Sequence, residues 1–254
     1  MSIDRLPLLM LPGLLCDQVA WAATADLLPQ RDCRVPVWGS LDSIAAMAAH
    51  VLASTAEPRF AIAGHSMGGR VALEVVRQAP ARVTHLGLLD TGYQALPTGE
   101  AADNERAARA ALLARAQAEG MRAMGAVWAS GMLHPDQIGT PLFDAILDMI
   151  ERSNPAQFEA QIRALLERPE TMHQLPHITC PTLVLCGHQD AWSPLARHEQ
   201  MARLISGAQL EVIEHSGHMT TMEQPRAVAA ALDRLLAMPV RETAPRRSAV
   251  RQSE

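Results

Sequence analysis

Ser66, Asp190 and His218 are the three side chains whose types could together make a nucleophile. A serine hydroxyl attacks poorly until a base takes its proton, and the base needs a third group to fix its tautomer and orientation. Ser66 stands in Gly64-His65-Ser66-Met67-Gly68-Gly69, a G-x-S-x-G match that is weak alone and gains weight only from its surroundings. A short apolar run, Phe60 to Ala63, precedes it, and Val71, Ala72, Val75 and Val76 follow at the spacing of one helix face. Strand, tight turn and helix, with the serine at the apex, is the required context. Side chains at 64 and 68 would collide with the neighbouring strand and helix in so sharp a turn. The helix N-terminus behind the serine favours a developing negative charge. A nucleotide loop is the competing use of such glycines, but there is no G-x-x-x-x-G-K-[ST], and the chain has no Lys at all.

Elements that could position these groups follow from the apolar pattern. Leu6 to Leu11 reads as a buried strand ended by Pro12-Gly13, with a helix from Asp17 to Leu28 capped by Asp17. Cys33 to Trp38, Phe60 to Ala63 and Val83 to Leu89 read as further strands, with a helix over Asp42 to Ser54. Such alternation implies parallel βαβ units and a doubly wound, mostly parallel α/β sheet of about six strands. The rhythm breaks over 94–176, where only helices are expected, and returns with strands at Cys180 to Cys186 and Gln209 to Ile213 and helices at Pro194 to Ile205 and Gln224 to Met238. The expected organisation is therefore a core of 1–93 and 177–238, an inserted helical lid over 94–176, and a disordered tail over 239–254 with no apolar period. Ligands in such sheets sit at the carboxyl ends of strands. Ser66, Asp190 and His218 each follow a strand, in the order Ser…Asp…His. His215 is a rival for the base and Asp90, at the end of the preceding strand, for the acid. In the lid, Trp128 and Met132 are the candidates to line a pocket, joined by Trp192 just past Asp190.

Leu11-Pro12-Gly13-Leu14, Gly64-His65-Ser66-Met67-Gly68-Gly69, Pro181 with Gly187-His188-Gln189-Asp190, and Gly217-His218 with Glu223-Gln224-Pro225 resemble the α/β-hydrolase superfamily from Leu6 to about Met238. That resemblance implies Ser66 as nucleophile, His218 as general acid–base and Asp190 as its orienting acid. It also implies an oxyanion hole from the backbone N–H groups of Met67 and Leu14. Pro12-Gly13 stands where the family usually has His-Gly, so the loop must be braced differently. His65 then supports the turn, His188 is a loop residue, and Cys16 near the mouth is a bland buried thiol rather than a reactive one. The remaining histidines (His50, His85, His134, His173, His177, His198) show no metal spacing and read as structural or surface groups.

A formal net charge of −5 argues against nucleic acid as a partner. No run approaches the length of a membrane span. Asp4, Arg5, Pro7 and Pro12 speak against a leader in the apolar N-terminal stretch, and four cysteines without metal spacing read as free thiols in a reducing cytoplasm. The expectation is a cytoplasmic serine esterase or lactonase for a small-molecule ester of a small, largely apolar acid, with no metal or organic cofactor implied and the oligomeric state open. The alternatives are a C–C bond hydrolase of ring-cleavage products, a cofactor-independent dioxygenase in which His218 and Asp190 act as a base dyad, and a hydrolase-like ligand receptor.

Overall fold

The structure, a computed structural model, describes residues 6–240. Most of the expected tail, from residue 241 on, lies outside the described residues. Six strands form one sheet: β1 (Leu8–Leu11), β2 (Cys33–Arg34), β3 (Phe60–His65), β4 (Val83–Leu89), β5 (Thr182–Gly187) and β6 (Gln209–Ile213). Their order is β2-β1-β3-β4-β5-β6, and every neighbouring pair is parallel. β1, β3, β4 and β5 are buried along their whole length. This is why they read as continuous apolar runs rather than as alternating ones.

The helices between them are α1 (Val19–Asp26), α2 (Ile44–Ser54), α3 (Met67–Gln78), α4 (Glu100–Glu119), α5 (Met121–Ala129), α6 (Pro141–Glu151), α7 (Pro155–Leu166), α8 (Leu195–Leu204), α9 (Thr220–Glu223) and α10 (Pro225–Leu236). α1 packs with α9 and α10, and α2 packs with α3. α4 to α7 all lie in the chain between β4 and β5. The strand order reverses at β1, so the carboxyl ends of β1 and β3 flank the switch point where such sheets take ligands. No helix among the described residues is long and apolar enough to cross a membrane.

Several boundaries move for local reasons. α1 starts at Val19 rather than Asp17. The Asp17 carboxylate does accept the Val19 N–H at 2.8 Å, but its other oxygen takes Arg152 Nε at 2.7 Å, which holds it outside the helix. β2 pairs over Cys33 and Arg34 only. It is an edge strand, and Pro36 has no N–H to continue the ladder. α2 starts at Ile44 rather than Asp42, capped by Ser43, whose Oγ accepts the Ala46 N–H at 3.2 Å.

The turn after β3 is built by close backbone approach. A Cβ on Gly64 would collide with the Gly68 carbonyl, and one on Gly68 would collide with the Leu11 carbonyl at the end of β1. Below the next strand end, His198 on α8 is wholly buried and its Nε2 accepts the Thr91 N–H at 3.0 Å. That leaves Nδ1–H to donate to the Pro194 carbonyl at 3.3 Å.

Two outcomes follow. Gly68→Ala should destabilise the fold by about 3 kcal/mol or more, whereas Gly131→Ala, where a Cβ would meet only Trp192 Nε1 at 3.5 Å, should change it by less than about 0.5 kcal/mol in urea unfolding. Burial, aided by His218 and Arg197, holds the His198 ring down to about 4 against the hydrogen bond to Pro194 and the charge of Asp190. The unfolded chain takes that proton near pH 6.5 and the native one only near pH 4, so this stabilisation is complete above pH 6.5 and is lost as the pH falls toward 4. His198→Gln should therefore lose on the order of 2 kcal/mol less unfolding free energy than wild type between pH 7 and pH 5. Equal losses would refute the assignment.

Candidate active site

Ser66 is the residue between β3 and α3, and it carries a positive φ of 54°. An L-residue holds that conformation only when its surroundings enforce it. Here the Ser66 N–H donates to the Leu89 carbonyl at 2.9 Å, and Thr91 Oγ1–H donates to the Ser66 carbonyl at 2.6 Å. The hydroxyl is thereby lifted clear of the sheet edge. Its Oγ lies 2.8 Å from His218 Nε2, and His218 Nδ1 lies 2.7 Å from Asp190 Oδ2. The structure thus joins three groups from the ends of β3, β5 and β6 into one hydrogen-bonded chain.

Asp190 is buried, and its Oδ1 accepts the N–H groups of Trp192 at 2.9 Å and Ser193 at 2.8 Å. Burial alone would raise this carboxyl. The facing His218 and the two N–H donors outweigh burial and hold it below the ordinary aspartate value. His218 is fixed from behind. Its N–H donates to the Met132 carbonyl at 2.6 Å, and the Glu223 carboxylate accepts the Gly217 N–H at 3.0 Å and the Met219 N–H at 3.1 Å. The other Glu223 oxygen accepts the His134 N–H at 2.8 Å. Glu223 stood in the sequence only as part of a pattern following His218; its place as a clamp on three N–H groups needed the structure.

Neither rival, His215 nor Asp90, hydrogen-bonds to the His218 ring. His215 has a positive φ and packs edge-on against the His134 ring at 5.9 Å. His188 is exposed and pairs with Glu214. Asp90 is fully buried and accepts the Gly187 N–H at 3.0 Å and the Thr220 hydroxyl at 2.6 Å. Burial and the charge of Asp190 push its carboxyl well above the ordinary value, against the hydrogen bonds that oppose them. His65 Nε2–H donates to the His218 carbonyl at 2.7 Å, and burial with the nearby His218 holds its ring down to about 4.

Leu14 and Met67 line the same cavity as Ser66 and His218, a space of about 970 Å³. The loop carrying Leu14 is braced without the family's usual histidine. Trp38 Nε1–H donates to the Pro12 carbonyl at 3.0 Å, and the Leu15 N–H donates to Gln161 Oε1 on α7 at 2.9 Å. Trp128, Met132 and Trp192 also line the cavity. The Trp192 ring lies 5.2 Å from both Trp128 and His218, so an aromatic wall runs from α5 to the imidazole. Cys16 reaches the cavity as well, but burial and Asp17 push its thiol up to about 12, which leaves it unreactive at neutral pH. The arginines in this lining, Arg70 and Arg197 among them, were missed by the sequence reading. In a chain whose 22 basic residues are all arginine, nothing in their spacing sets them apart. Among the described residues no group of three His, Cys, Asp or Glu side chains is set to hold a metal ion.

Comparison with known proteins places this geometry in context. A 2-succinyl-6-hydroxy-2,4-cyclohexadiene-1-carboxylate synthase of Klebsiella pneumoniae is 26% identical over 181 residues, which is 70% of this chain and 69% of that one. A pimeloyl-(acyl-carrier protein) methyl ester esterase of Nitrosomonas europaea is 24% identical over 241 residues, 90% of this chain and 94% of that one. Among solved structures, a thermophilic esterase from Thermogutta terrifontis superposes with a TM-score of 0.78 at 29% identity, covering 91% of this chain and 89% of the other. The family model described as the alpha/beta hydrolase family matches residues 8–231. The match takes in all six strands and the turns after β3, β5 and β6, and the chain belongs to the alpha/beta hydrolase family.

Proposed function

We propose that this chain is a serine hydrolase that cleaves an ester or lactone of a small acid through an acyl-enzyme. The observation that carries the reading is the unbroken chain from Ser66 Oγ through the His218 ring to Asp190, with contacts of 2.8 and 2.7 Å. In this reading His218 Nε2 takes the hydroxyl proton as Ser66 attacks the carbonyl carbon, and the resulting imidazolium is stabilised by ionised Asp190. In the same reading the oxyanion meets the N–H groups of Met67 and Leu14, both of which line the cavity. His218 then gives its proton to the leaving oxygen. In the second half it takes a proton from the water that attacks the acyl carbon and returns it to Ser66 Oγ as the acyl–oxygen bond breaks and the acid leaves.

Helices α4 to α7 act as the lid in this proposal. Trp128 on α5, Met132 just after that helix and Trp192 all line the cavity, which supports this reading. A pocket lined this way takes a short acyl chain rather than a polymer. Two similar proteins support the ester chemistry by their own activities: the Nitrosomonas relative is a methyl ester esterase and the Thermogutta structure is an esterase. All four cysteines are free among the described residues, which supports a reducing compartment.

A burst experiment tests the reading. With p-nitrophenyl butyrate the wild-type protein should release close to one equivalent of nitrophenolate rapidly, followed by slower turnover. Ser66→Ala and His218→Ala should each lose both phases and fall by about 10³-fold or more in kcat. Wild-type activity in Ser66→Ala would remove the serine from the mechanism and favour chemistry run by His218 and Asp190 alone. Asp190→Asn should fall by about 10³–10⁴-fold while leaving the fold intact by circular dichroism, because the amide no longer holds the required tautomer.

A further inference from the structure

The cavity beside Ser66 carries an imbalance of charge that ester hydrolysis does not use. The whole chain has a formal net charge of −5, yet four arginines line this one cavity: Arg70, Arg109, Arg168 and Arg197. Two of them are answered. Glu105 takes Arg168 on both oxygens, at 2.8 and 2.9 Å, and Arg109 at 2.8 Å. The other two are not. Arg70 Nη1–H donates to the Gln94 carbonyl at 2.8 Å, and Arg197 Nη1–H donates to the Trp192 carbonyl at 3.2 Å and to Ser193 Oγ at 3.3 Å. All three acceptors are neutral, and among the described residues neither guanidinium forms an ion pair. The remaining glutamate of the lining, Glu170, is exposed and turned to the backbone N–H groups of Ala95 and Met172.

The two unanswered groups converge. Arg70 lies four residues after Ser66 on α3, one turn along the same helix face. Arg197 comes from α8, which follows the Asp190 loop. Their side chains meet at Gly92: Arg70 Nη2 and Arg197 Nη1 both lie within 3.5 Å of the point that a Cβ there would occupy. Burial together with Arg168 and Arg197 pulls Arg70 down to about 9, so it stays cationic at neutral pH in surroundings that favour an added negative charge. The same cavity has apolar lining, including Leu112, Trp128 and Met132.

We propose that Arg70 and Arg197 form a carboxylate subsite, so that the substrate is an ester or lactone whose acyl part bears an ionised carboxylate at the end away from the scissile carbonyl. The guanidinium fork matches a planar carboxylate in two parallel hydrogen bonds, and two forks at one point give the acid both charge balance and a fixed direction. The expectation of a largely apolar acid is thereby narrowed to a short apolar chain ending in a charge. This inference rests on the hydrolase reading for its chemistry, though not for its binding site.

The test compares monomethyl glutarate with methyl pentanoate, followed by acid release, for wild type, Arg70→Gln and Arg197→Gln. Wild type should favour the anionic ester by at least about tenfold in kcat/KM, and each variant should reduce that ratio by roughly tenfold to a hundredfold. A wild-type ratio of one or less overturns the subsite, and so does a preference that survives in both variants. Calorimetric binding of glutarate provides a readout free of turnover. Wild type and Ser66→Ala should bind it alike, and the two arginine variants should bind it at least about tenfold more weakly; no binding to wild type, or binding of inorganic phosphate in its place, refutes the proposal. If neither ester is hydrolysed while glutarate binds through Arg70 and Arg197, the hydrolase reading falls and the subsite stands.

Discussion

Backbone pressed against backbone at the start of α3 is the constraint from which the rest of the site follows. Gly68 brings the first turn of the helix onto the last carbonyl of β1, and Gly64 folds the end of β3 beneath it. The serine between them is forced to φ 54°. It is one of four non-glycine residues with positive φ among the described residues; the others are Leu15, Asp90 and His215, and they follow β1, β4 and β6. Strain of about 1–3 kcal/mol at each is concentrated on a single edge of the sheet. Tertiary hydrogen bonds hold it there: Ser66 to Leu89, Asp90 to Leu185, and Leu15 to Gln161. A sheet whose other faces are ordinary buried apolar packing can carry that load at one edge, because each strained residue is tied to a neighbouring strand or helix.

Two carboxylates on this edge show how environment, rather than residue type, divides the work. Asp90 and Asp190 both follow strands, and both are buried. Asp190 faces an imidazole and two N–H groups and is held low. Asp90 has one hydroxyl and two N–H donors, but no strong positive partner, and burial, with the neighbouring negative charge of Asp190, drives it up. The nearest ring to Asp90 is His65, whose Nε2 lies 3.6 Å away and which burial keeps neutral. The pair therefore favours ionisation of the acid in contact with His218, and the other serves as a brace between β4, β5 and the Thr220 turn.

What the sequence revealed was what strands and local chain order encode. Ser66 and Asp190 could be placed because each follows a buried apolar run, and His218 because it follows the short strand Gln209–Ile213; strands in alternation with helices fix which edge the three share. The four central strands were legible as continuous apolar runs, whereas the edge strands β2 and β6 are only partly buried. What could not be read depends on side chains crossing between elements far apart in the chain. Arg152 holds Asp17 out of its helix from 135 residues away, and Gln161 reaches Leu15 across 146. Pro36 could have warned that β2 is short, since a missing N–H ends a ladder. The short α9, which carries Glu223, has no periodicity to announce it in four residues.

The helical segment between β4 and β5 also supports the His218 turn. The carbonyl of Met132 holds the His218 N–H, and a Cβ on Gly217 would lie only 2.8 Å from the backbone nitrogen of His134. Glu223 then grips both sides, with one oxygen on the Gly217 and Met219 N–H groups and the other on His134. The imidazole is thus aligned from two directions: Asp190 fixes its ring, and the Met132–His134 stretch fixes its backbone. The same stretch contributes Met132 to the cavity wall, and Trp128 on α5 stacks toward His218 through Trp192. Residues of the cavity wall are therefore mechanically joined to the imidazole beside Ser66. In such an arrangement the shape of the cavity and the position of the ring are not independent, because a side chain that repacks the wall also shifts the loop from which the imidazole is hung, and a displacement of about 1 Å is enough to upset a geometry of this kind.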